Sequence, residues 1–342
     1  MKKLCGISFV FSLLFAVGCS QDETNAKGGD NQSEPLVVYL NDFDEIIEPL
    51  FEEATGYDVE LVSGNGAEVQ SRIEAEKGNP NWDVVWMDGQ AAFARWDEEE
   101  VLLKDLDLKN IDSLNELGTS LLPESNSYVA TGAHASSVIV YNTNEISEAE
   151  APKEWSDLAS PNLKDSVGMA DPAVAAPPAY PFVTWFFQNL GMDNGKQFFT
   201  NIFENGAKVY PKNPNIVEAL LNGDIKAAAL QESNAYTMKA NGEPIEIIWP
   251  EEGAPASVRY VGINKQSENK EAAEAFVNFL LEKETQDELV AAGSEGYFSP
   301  TVSDVADLDE RPEDPKLVIA EGDWSAEHEA EIKEWFADQS VE

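Results

Sequence analysis

The strongest constraint on the fold is a regular alternation of short apolar runs and helix-like segments between residues 36 and 88. Apolar runs predict strands at residues 36–40, 57–62 and 83–87. Helical spacing of apolar residues predicts helices at residues 46–54 and 67–77. Strands alternating with helices at this spacing form right-handed βαβ units, so this segment predicts a parallel sheet.

A second alternation of the same kind lies in the middle of the chain and predicts a second α/β lobe. Its predicted strands are 138–141 and 227–230, and its predicted helices are 182–191, 216–221 and 235–240. Beyond it come a strand at 257–264, a helix at 271–292 and a C-terminal helix at 327–336. We therefore predict lobe 1 from residues 35–137 with 252–305, and lobe 2 from 138–251 with 306–342. A cleft between two such lobes is a common place for a small ligand.

The first residues of the chain predict export. Lys2 and Lys3 precede an apolar run that ends at Gly18, which is typical of a signal peptide and too short for a permanent membrane span. Residues 16–19, Ala-Val-Gly-Cys, resemble a bacterial lipobox, in which Cys19 carries the lipid, palmitate included. Residues 19–34 are almost all polar, which is typical of a flexible tether. We expect cleavage after residue 18 and a protein anchored to the outer face of the cell membrane, which is the periplasmic side if a second membrane is present. The alternative is an ordinary signal peptide with an incidental cysteine.

Composition excludes several classes of function. The chain has 64 acidic and 22 basic residues and a net charge of −42, which argues against nucleic acid as a partner. Acidic residues spread along the chain are typical of a solvated surface in salty or alkaline surroundings. The only cysteines are Cys5 and Cys19, and only two histidines occur, so we expect no thiol chemistry, no cofactor and no histidine-rich metal site. Sequence motifs of hydrolases, P-loop proteins and zinc proteases are absent.

Candidate ligand contacts lie in loops that follow the predicted strands, because ligands of open parallel sheets bind beyond the carboxyl ends of the strands. The loop at residues 63–66 either approaches a ligand through its glycines or forms a tight turn. Asp88 either contacts a ligand or caps the next helix. A lone histidine such as His134 is more often structural. The predicted ligand-binding set is Asn41, Asp42, Phe43, Ser63, Gly64, Asn65, Asp88, Ser136, Ser137, Tyr180, Glu232, Asn234 and Tyr236.

An ordered series of segments resembles the extracellular solute-binding proteins of ATP-driven (ABC) importers, in the branch that contains the ferric-iron-binding proteins. The resemblance covers about residues 36–300, nearly the whole body of the chain. It is carried by the segments Val-Val-Tyr at 37–39, Leu-Val-Ser-Gly at 61–64, Trp-Asp-Val-Val-Trp at 82–86, Val-Tyr-Asn-Thr at 140–143 and Asn-Gly-Asp-Ile at 222–225.

The resemblance implies a two-lobed periplasmic-binding-protein fold of the type II kind. Each lobe would be a mainly parallel sheet with helices on both faces, and the lobes would be hinged around a ligand cleft. It implies a monomeric solute receptor rather than an enzyme, which delivers its solute to membrane permease subunits.

The iron-binding members hold the metal with a histidine, an acidic residue and two adjacent tyrosines. These positions correspond here to Phe43, Asp88 and residues 234–235, with Tyr236 next in the chain. Fe(III) prefers anionic oxygen ligands, and these positions offer only one carboxylate and one phenol. We therefore expect a small polar organic solute. The alternatives are ferric iron, held by Asp88 and Tyr236, and a lipid-anchored surface enzyme.

Overall fold

A computed structural model describes residues 34–174 and 179–339. The predicted signal peptide at 1–18, the lipid site at Cys19 and the tether up to residue 33 lie outside the described residues. The strands are β1 (Leu36–Leu40), β2 (Val59–Ser63), β3 (Val84–Asp88), β4 (Tyr128–Ala135), β5 (Val138–Asn142), β6 (Val167–Ala170), β7 (Lys208–Tyr210), β8 (Ala227–Leu230), β9 (Ile245–Ile248), β10 (Ala254–Ile263), β11 (Ser299–Pro300) and β12 (Leu317–Val318).

Helices connect most of these strands. They are α1 (Ile47–Thr55), α2 (Gly66–Glu76), α3 (Gln90–Glu98), α4 (Glu116–Ser120), α5 (Tyr180–Leu190), α6 (Met192–Glu204), α7 (Asn213–Asn222), α8 (Glu232–Ala240), α9 (Lys270–Leu280), α10 (Lys283–Val290) and α11 (Gly322–Gln339). None of the helices in the described part of the chain has the length and apolar character that a membrane crossing needs.

The strands form two sheets. The first has the order β11-β4-β10-β3-β1-β2, with β12 beside β10, and the second has the order β7-β6-β8-β5-β9. Strand β1 is parallel to β2 and β3, as the βαβ pattern predicts, and β6 is parallel to β7 and β8. Strands β4, β5, β9 and β10 belong to the segments that cross between the sheets, and most of their pairings are antiparallel. The sheets are therefore mixed rather than mainly parallel.

Helices cover both faces of each sheet, because successive side chains of a buried strand point to opposite faces. In the first sheet, Leu40 and Trp86 pack with Phe51 of α1 and Phe276 of α9 on one face. On the other face, neighbouring side chains of the same strands pack with Phe93 and Trp96 of α3. Complete burial of each large apolar side chain contributes about 1.5–3 kcal/mol. The second sheet is covered in the same way by α5, α6 and α11 on one face and by α7 and α8 on the other.

The helix predicted at 271–292 is two helices in the structure, α9 and α10, separated by Leu281 and Glu282. Side chains take up the carbonyl groups near the break. The Ser113 hydroxyl donates to the Leu281 oxygen at 2.9 Å, and the Gln286 amide donates to the Leu280 oxygen at 2.9 Å. Glu282 has an extended backbone at the start of α10. Apolar periodicity continues across this break, so it does not reveal the break.

The C-terminal region is fastened to both sheets by a buried ion pair. Arg311 donates to Glu232 of α8 through Nε at 2.8 Å and through Nη2 at 3.1 Å, and both side chains have 0 % exposure. Arg311 also donates to the Ser299 hydroxyl of β11 at 3.1 Å, while Glu232 accepts from the backbone nitrogen of Ala135 at 2.5 Å. One guanidinium group therefore links β11 of the first sheet to α8 of the second, beside the crossing strand β4.

Replacing Glu232 by alanine leaves the buried Arg311 with Asp307 as its remaining carboxylate partner. Removing one member of a buried pair costs about 3–5 kcal/mol, so we expect the free energy of unfolding to fall by up to that amount. Glu246→Ala is the matched control, because the Lys239–Glu246 pair is about half exposed and an exposed pair contributes roughly 0–1 kcal/mol. Urea unfolding of both variants measures the difference, and equal losses would contradict this account of the ion pair.

Candidate functional site

The loops after β1 and β3 meet at one edge of the first sheet, because the two strands are parallel neighbours. The side chain of Asn41 joins the two loops. Its Nδ2 donates to Oδ2 of Asp88 at 3.1 Å, and its Oδ1 accepts from the backbone nitrogen of Asp88 at 3.3 Å. The carboxyl ends of parallel strands thus bring together two of the residues proposed from sequence.

Arg259 of β10 lies at the centre of this edge. Strand β10 runs antiparallel to β3 with Arg259 opposite Asp88, and the guanidinium Nη2 lies 3.3 Å from Asp88 Oδ2. The same Nη2 donates to Asp42 Oδ2. The guanidinium also lies over the ring of Phe43, 4.7 Å from its centre, which is a cation–π arrangement. Arg259 therefore binds both Asp42 and Asp88, for which the sequence alone had indicated no cationic partner.

His134 of β4 completes the cluster. Its Nε2 lies 3.4 Å from Asp88 Oδ1, and the residue is 4 % exposed. Neither ring nitrogen makes a hydrogen bond that meets normal geometry among the described residues. His134 therefore does not fit the expectation of a purely structural histidine, because a buried histidine of that kind has a hydrogen-bond partner on each ring nitrogen.

The two aspartates of the cluster have opposite pKa shifts. Burial by itself raises the pKa of Asp88, but Arg259 and His134 outweigh it and hold the pKa well below the usual range. Burial raises the pKa of Asp42 to about 7, and Asp88 and Glu295 add to this shift while Arg259 opposes it. Although 31 % of the Asp42 side chain is exposed to the cleft, the surrounding protein still desolvates its carboxyl group. Burial lowers the pKa of His134, but the carboxylates of Asp88 and Glu232 together hold it above the usual value.

A cavity of about 490 Å³ lies between this edge of the first sheet and helices α7 and α8 of the second. It is lined by Asp42, His134, Pro214, Val217, Leu221, Gln231, Ser233, Asn234, Thr237, Met238, Asn241, Glu243, Arg259, Ser294, Glu295, Tyr297 and Phe298. We call it the main cavity. Its two walls thus come from different sheets.

A smaller cavity of about 300 Å³ shares four lining residues with the main cavity. It is lined by Asn41, Asp42, Asn65, Gly66, Asp88, Val174, Lys212, Asn213, Pro214, Gln231 and Asn234. Gln231 orients two of the amide side chains, because its Oε1 accepts from Asn213 at 2.9 Å and from Asn234 at 3.2 Å. Together the two cavities form one polar cleft between the sheets.

The segment before β11 supplies a further carboxylate and an aromatic stack. Oε2 of Glu295 accepts from the backbone nitrogen of Phe43 at 2.9 Å, and the Glu295 carboxyl is about half buried. Tyr297 lines the main cavity and stacks on Tyr236, with ring centres 4.6 Å apart and planes at 8°. The Tyr236 hydroxyl accepts from Trp249 at 3.1 Å.

Five of the residues proposed from sequence line the cleft, namely Asn41, Asp42, Asn65, Asp88 and Asn234. Asn65 also caps helix α2, because its side chain accepts from the backbone nitrogens of Ala67 and Glu68 at 3.1 Å each. The helix-cap interpretation of Asp88 is wrong, since no side chain caps α3 and the Asp88 carboxylate contacts Arg259 and His134 instead.

The other proposed residues line neither cavity. Among the aromatic ones, Phe43 packs in the core against Trp86 at 5.3 Å. The hydroxyl group of Tyr180 donates to the backbone oxygen of Ser325 at 2.7 Å, which directs it into the contact with α11. Tyr236 is covered by the Tyr297 ring.

The polar members of this group have local structural reasons for their positions. Ser63 ends the edge strand β2. The Gly64 nitrogen extends the pairing of β2 with β1, because it donates to the Leu40 oxygen at 3.2 Å. Ser136 and Ser137 are buried where the chain crosses between the sheets, and Glu232 is held by Arg311.

The alternative iron ligands, Asp88 and Tyr236, both have other partners, as described above. The described residues contain no group of three or more His, Cys, Asp or Glu side chains that is arranged to hold a metal ion.

Sequence reasoning missed Arg259, Glu295 and Gln231. One signal for Arg259 was available, because it is a charged residue inside a strand that is otherwise apolar or small. A buried charge must be paired, so its presence predicts a carboxylate on a neighbouring strand. Which strand is the neighbour depends on long-range pairing, which the local pattern does not encode.

Residues 80–324 match the family of bacterial extracellular solute-binding proteins. The chain is 26 % identical over 266 residues to the major ferric iron-binding protein of Neisseria meningitidis serogroup B, covering 76 % of this chain and 78 % of that protein. It is 24 % identical over 266 residues to a putative 2-aminoethylphosphonate-binding periplasmic protein of Salmonella paratyphi A, covering 76 % of this chain and 74 % of that protein.

Solved structures have the same fold. The periplasmic binding protein AfuA from Actinobacillus pleuropneumoniae, with exogenous fructose-6-phosphate bound, superposes with a TM-score of 0.76 at 21 % identity. The superposition covers 90 % of this chain and 98 % of that one. The prediction of a two-lobed periplasmic-binding-protein fold is therefore confirmed.

We expect Asp42→Asn to stabilise the protein above neutral pH. Because the folded-state pKa of Asp42 is about 7 and the ordinary value is about 4, the folded protein binds this proton more tightly, and the free energy of unfolding falls as pH rises through that window. A neutral asparagine removes this loss. The melting temperature of the variant relative to wild type should be about 2–4 °C higher at pH 8 than at pH 5, the shift that about 1 kcal/mol produces.

The matched control for this measurement is Asp58→Asn, which makes the same charge change at an exposed position. Its difference from wild type should not depend on pH between 5 and 8. An Asp42→Asn variant that is less stable than wild type at pH 8 would contradict the stated electrostatics of the cluster.

Proposed function

This chain belongs to the family of bacterial extracellular solute-binding proteins, and on that premise we propose that it is the receptor of an ABC-type importer. It captures a small polar organic solute in the cleft between its two sheets and delivers it to membrane permease subunits. It acts as a monomer.

The observation that carries the proposal is the polar cleft that both sheets line. Asp42 and Arg259 face it from the first sheet, while Gln231 and Asn234 face it from the start of α8. Small-molecule sites are concave and have a few convergent polar groups that orient the ligand. A solute that bridges the two walls is bound more tightly when the walls approach each other, which is the basis of receptors that close on their ligand.

The proposed hinge lies where the chain crosses between the sheets. Two of the crossing segments are hydrogen bonded, since the Ser136 nitrogen donates to the Pro255 oxygen at 2.8 Å. We assign lobe 1 to residues 35–137 with 252–305 and lobe 2 to residues 138–251 with 306–342. Rotation about these crossing strands would change the separation of the two cleft walls.

Relatives of this chain are named for different solutes, so family membership leaves the solute open. For this chain we favour an organic solute over ferric iron. The position of the histidine ligand in the iron-binding resemblance falls on Phe43, and Asp88 is engaged by Arg259 and His134. Amide and carboxylate groups at the cleft suit a solute with several hydrogen-bonding groups.

Thermal unfolding against a solute panel tests this proposal. Residues 19–342 with Cys19→Ser are heated with Fe(III)-citrate, phosphate esters, aminophosphonates, thiamine and polyamines in turn. A ligand at 100 times its dissociation constant adds about 2.7 kcal/mol to the free energy of unfolding, which gives a clear rise in melting temperature. We expect a shift with one organic class. A shift with iron alone would contradict the organic solute, and no shift with a panel extended to amino acids and sugars would contradict the receptor.

The proposal includes a lipid anchor at Cys19, supported by the lipobox resemblance and the polar tether that follows. We expect Cys19→Ser to abolish labelling by radioactive palmitate and to release the protein from the membrane fraction. Cys5→Ser is the matched control, because it removes the only other cysteine and leaves the lipid site intact. Retention of the Cys19→Ser protein and its label in membranes would exclude this anchor.

A further inference from the structure

Two buried side chains that line the main cavity have hydrogen-bonding groups without a partner. Arg259 is 6 % exposed and binds both of its carboxylates, Asp42 and Asp88, through Nη2. Its Nε, a further donor, has no hydrogen-bond partner among the described residues. His134 is 4 % exposed, and its ring nitrogens make no hydrogen bond of normal geometry there either. Because buried polar groups are nearly always hydrogen bonded, these two side chains indicate that the cavity takes up an acceptor.

The opposite wall of the cleft also presents donors. The first turns of α7 and α8 line the main cavity at Pro214 and Ser233, and no side chain caps either helix. The start of a helix has backbone N–H groups without an intrahelical partner and the positive end of the helix dipole, so it favours a negative charge. Lys212, which directly precedes α7, is exposed and lines the smaller cavity.

We propose that the solute carries an oxyanionic group, a carboxylate, phosphonate or phosphate, which binds between Arg259 and His134 on the first-sheet wall and the first turns of α7 and α8 on the other. The inference rests on the proposed function, because it names the chemistry of the solute in that same cleft. Nε of Arg259 and a ring N–H of His134 donate to the oxygens of this group. Hydrogen bonds between charged partners are the stronger kind.

An anion in this position leaves the buried ion pairs of the first-sheet wall in place. Asp42 and Asp88 both bind Nη2 of Arg259, whereas the anion binds Nε. This matters because breaking a buried pair is costly. Asp88 already has Arg259 and His134 as cationic neighbours. Another carboxylate of the cavity lining, Glu243, lies beyond the far end of α8 and therefore away from its first turn.

The two carboxyl groups of the first-sheet wall that line the main cavity, Asp42 and Glu295, can each take up a proton. Burial raises the pKa of Asp42 to about 7, and burial also raises the pKa of Glu295. A protonated carboxyl group is neutral and can donate a hydrogen bond, so the anion binds together with a proton. The other charged neighbours of Asp42 are Asp88, Arg259 and His134. His134 loses its charge as pH rises, so both groups make binding weaker at higher pH.

Matched pairs of solutes test the proposal. The mature protein, residues 19–342 with Cys19→Ser, is titrated by calorimetry at pH 6 and pH 8. The pairs are succinate and succinamide, 2-aminoethylphosphonate and ethanolamine, and glucose 6-phosphate and glucose. Only the first member of each pair has an oxyanionic group, and the three pairs distinguish carboxylate, phosphonate and phosphate.

Four variants accompany this protein. Arg259→Lys keeps a positive charge beside Asp42 and Asp88 but removes Nε, and His134→Leu removes the ring nitrogens. Asp42→Asn makes the first-sheet wall less negative, and Asp58→Asn is its matched control at an exposed site outside the cleft. Melting curves at both pH values check that each variant is folded. Should Arg259→Lys fail to fold, His134→Leu and Asp42→Asn still decide the outcome.

We expect the oxyanionic member of at least one pair to bind the protein and Asp58→Asn with equal affinity, and its partner not to bind. Arg259→Lys and His134→Leu should each weaken binding at least tenfold. Asp42→Asn should bind about tenfold more tightly than the unchanged residue at pH 8. With a pKa of about 7, only about a tenth of the Asp42 carboxyl groups then hold the proton that binding needs.

Two results would overturn the oxyanion site, namely unchanged affinity in both Arg259→Lys and His134→Leu, or loss of binding in a folded Asp42→Asn protein. Binding only by solutes without an oxyanionic group would also overturn it, while leaving the receptor function intact. No binding by any member of the three pairs or of the wider solute panel would contradict the receptor function as well.

Discussion

The cleft depends on one buried guanidinium group. Arg259 joins the middle of β10 to Asp88 at the end of β3 and to Asp42 in the loop after β1. A buried charge is tolerated only when it is paired, so these three segments are held together for electrostatic reasons as well as by sheet hydrogen bonds. Asp88 is kept ionised by this contact, and Asp42 is left at the cavity surface with a carboxyl group whose pKa is raised to about 7.

A second buried ion pair, between Glu232 and Arg311, links the two sheets to each other. Glu232 begins α8, the helix that supplies much of the opposite wall, and its carboxylate binds Arg311 from the C-terminal region. The same carboxylate accepts from the backbone of the crossing strand β4. The acidic C-terminal region thus has a structural role, since it fastens the start of α8 to the crossing between the sheets. One wall is organised by Arg259 and the other by Arg311.

Local patterns in the sequence were enough to predict the βαβ segments and the second α/β region, because buried parallel strands are short apolar runs and their helices have regular apolar spacing. They also placed Asn41, Asp42 and Asp88 together, since carboxyl ends of parallel strands share an edge. They did not predict Arg259 opposite Asp88, because that contact requires the antiparallel pairing of strands about 170 residues apart. Tyr180 was misassigned for a similar reason, as its hydroxyl is taken by α11, a distant helix.

The central claim is that one solute contacts both walls of the cleft at once. Amide hydrogen exchange tests it most directly, with the panel solute that raises the melting temperature most. We predict slower exchange both in the loop at residues 41–43 and at the start of α8 near Asn234, with the surface of α6 unchanged. Protection confined to one of these walls, or found only outside the cleft, would contradict the account.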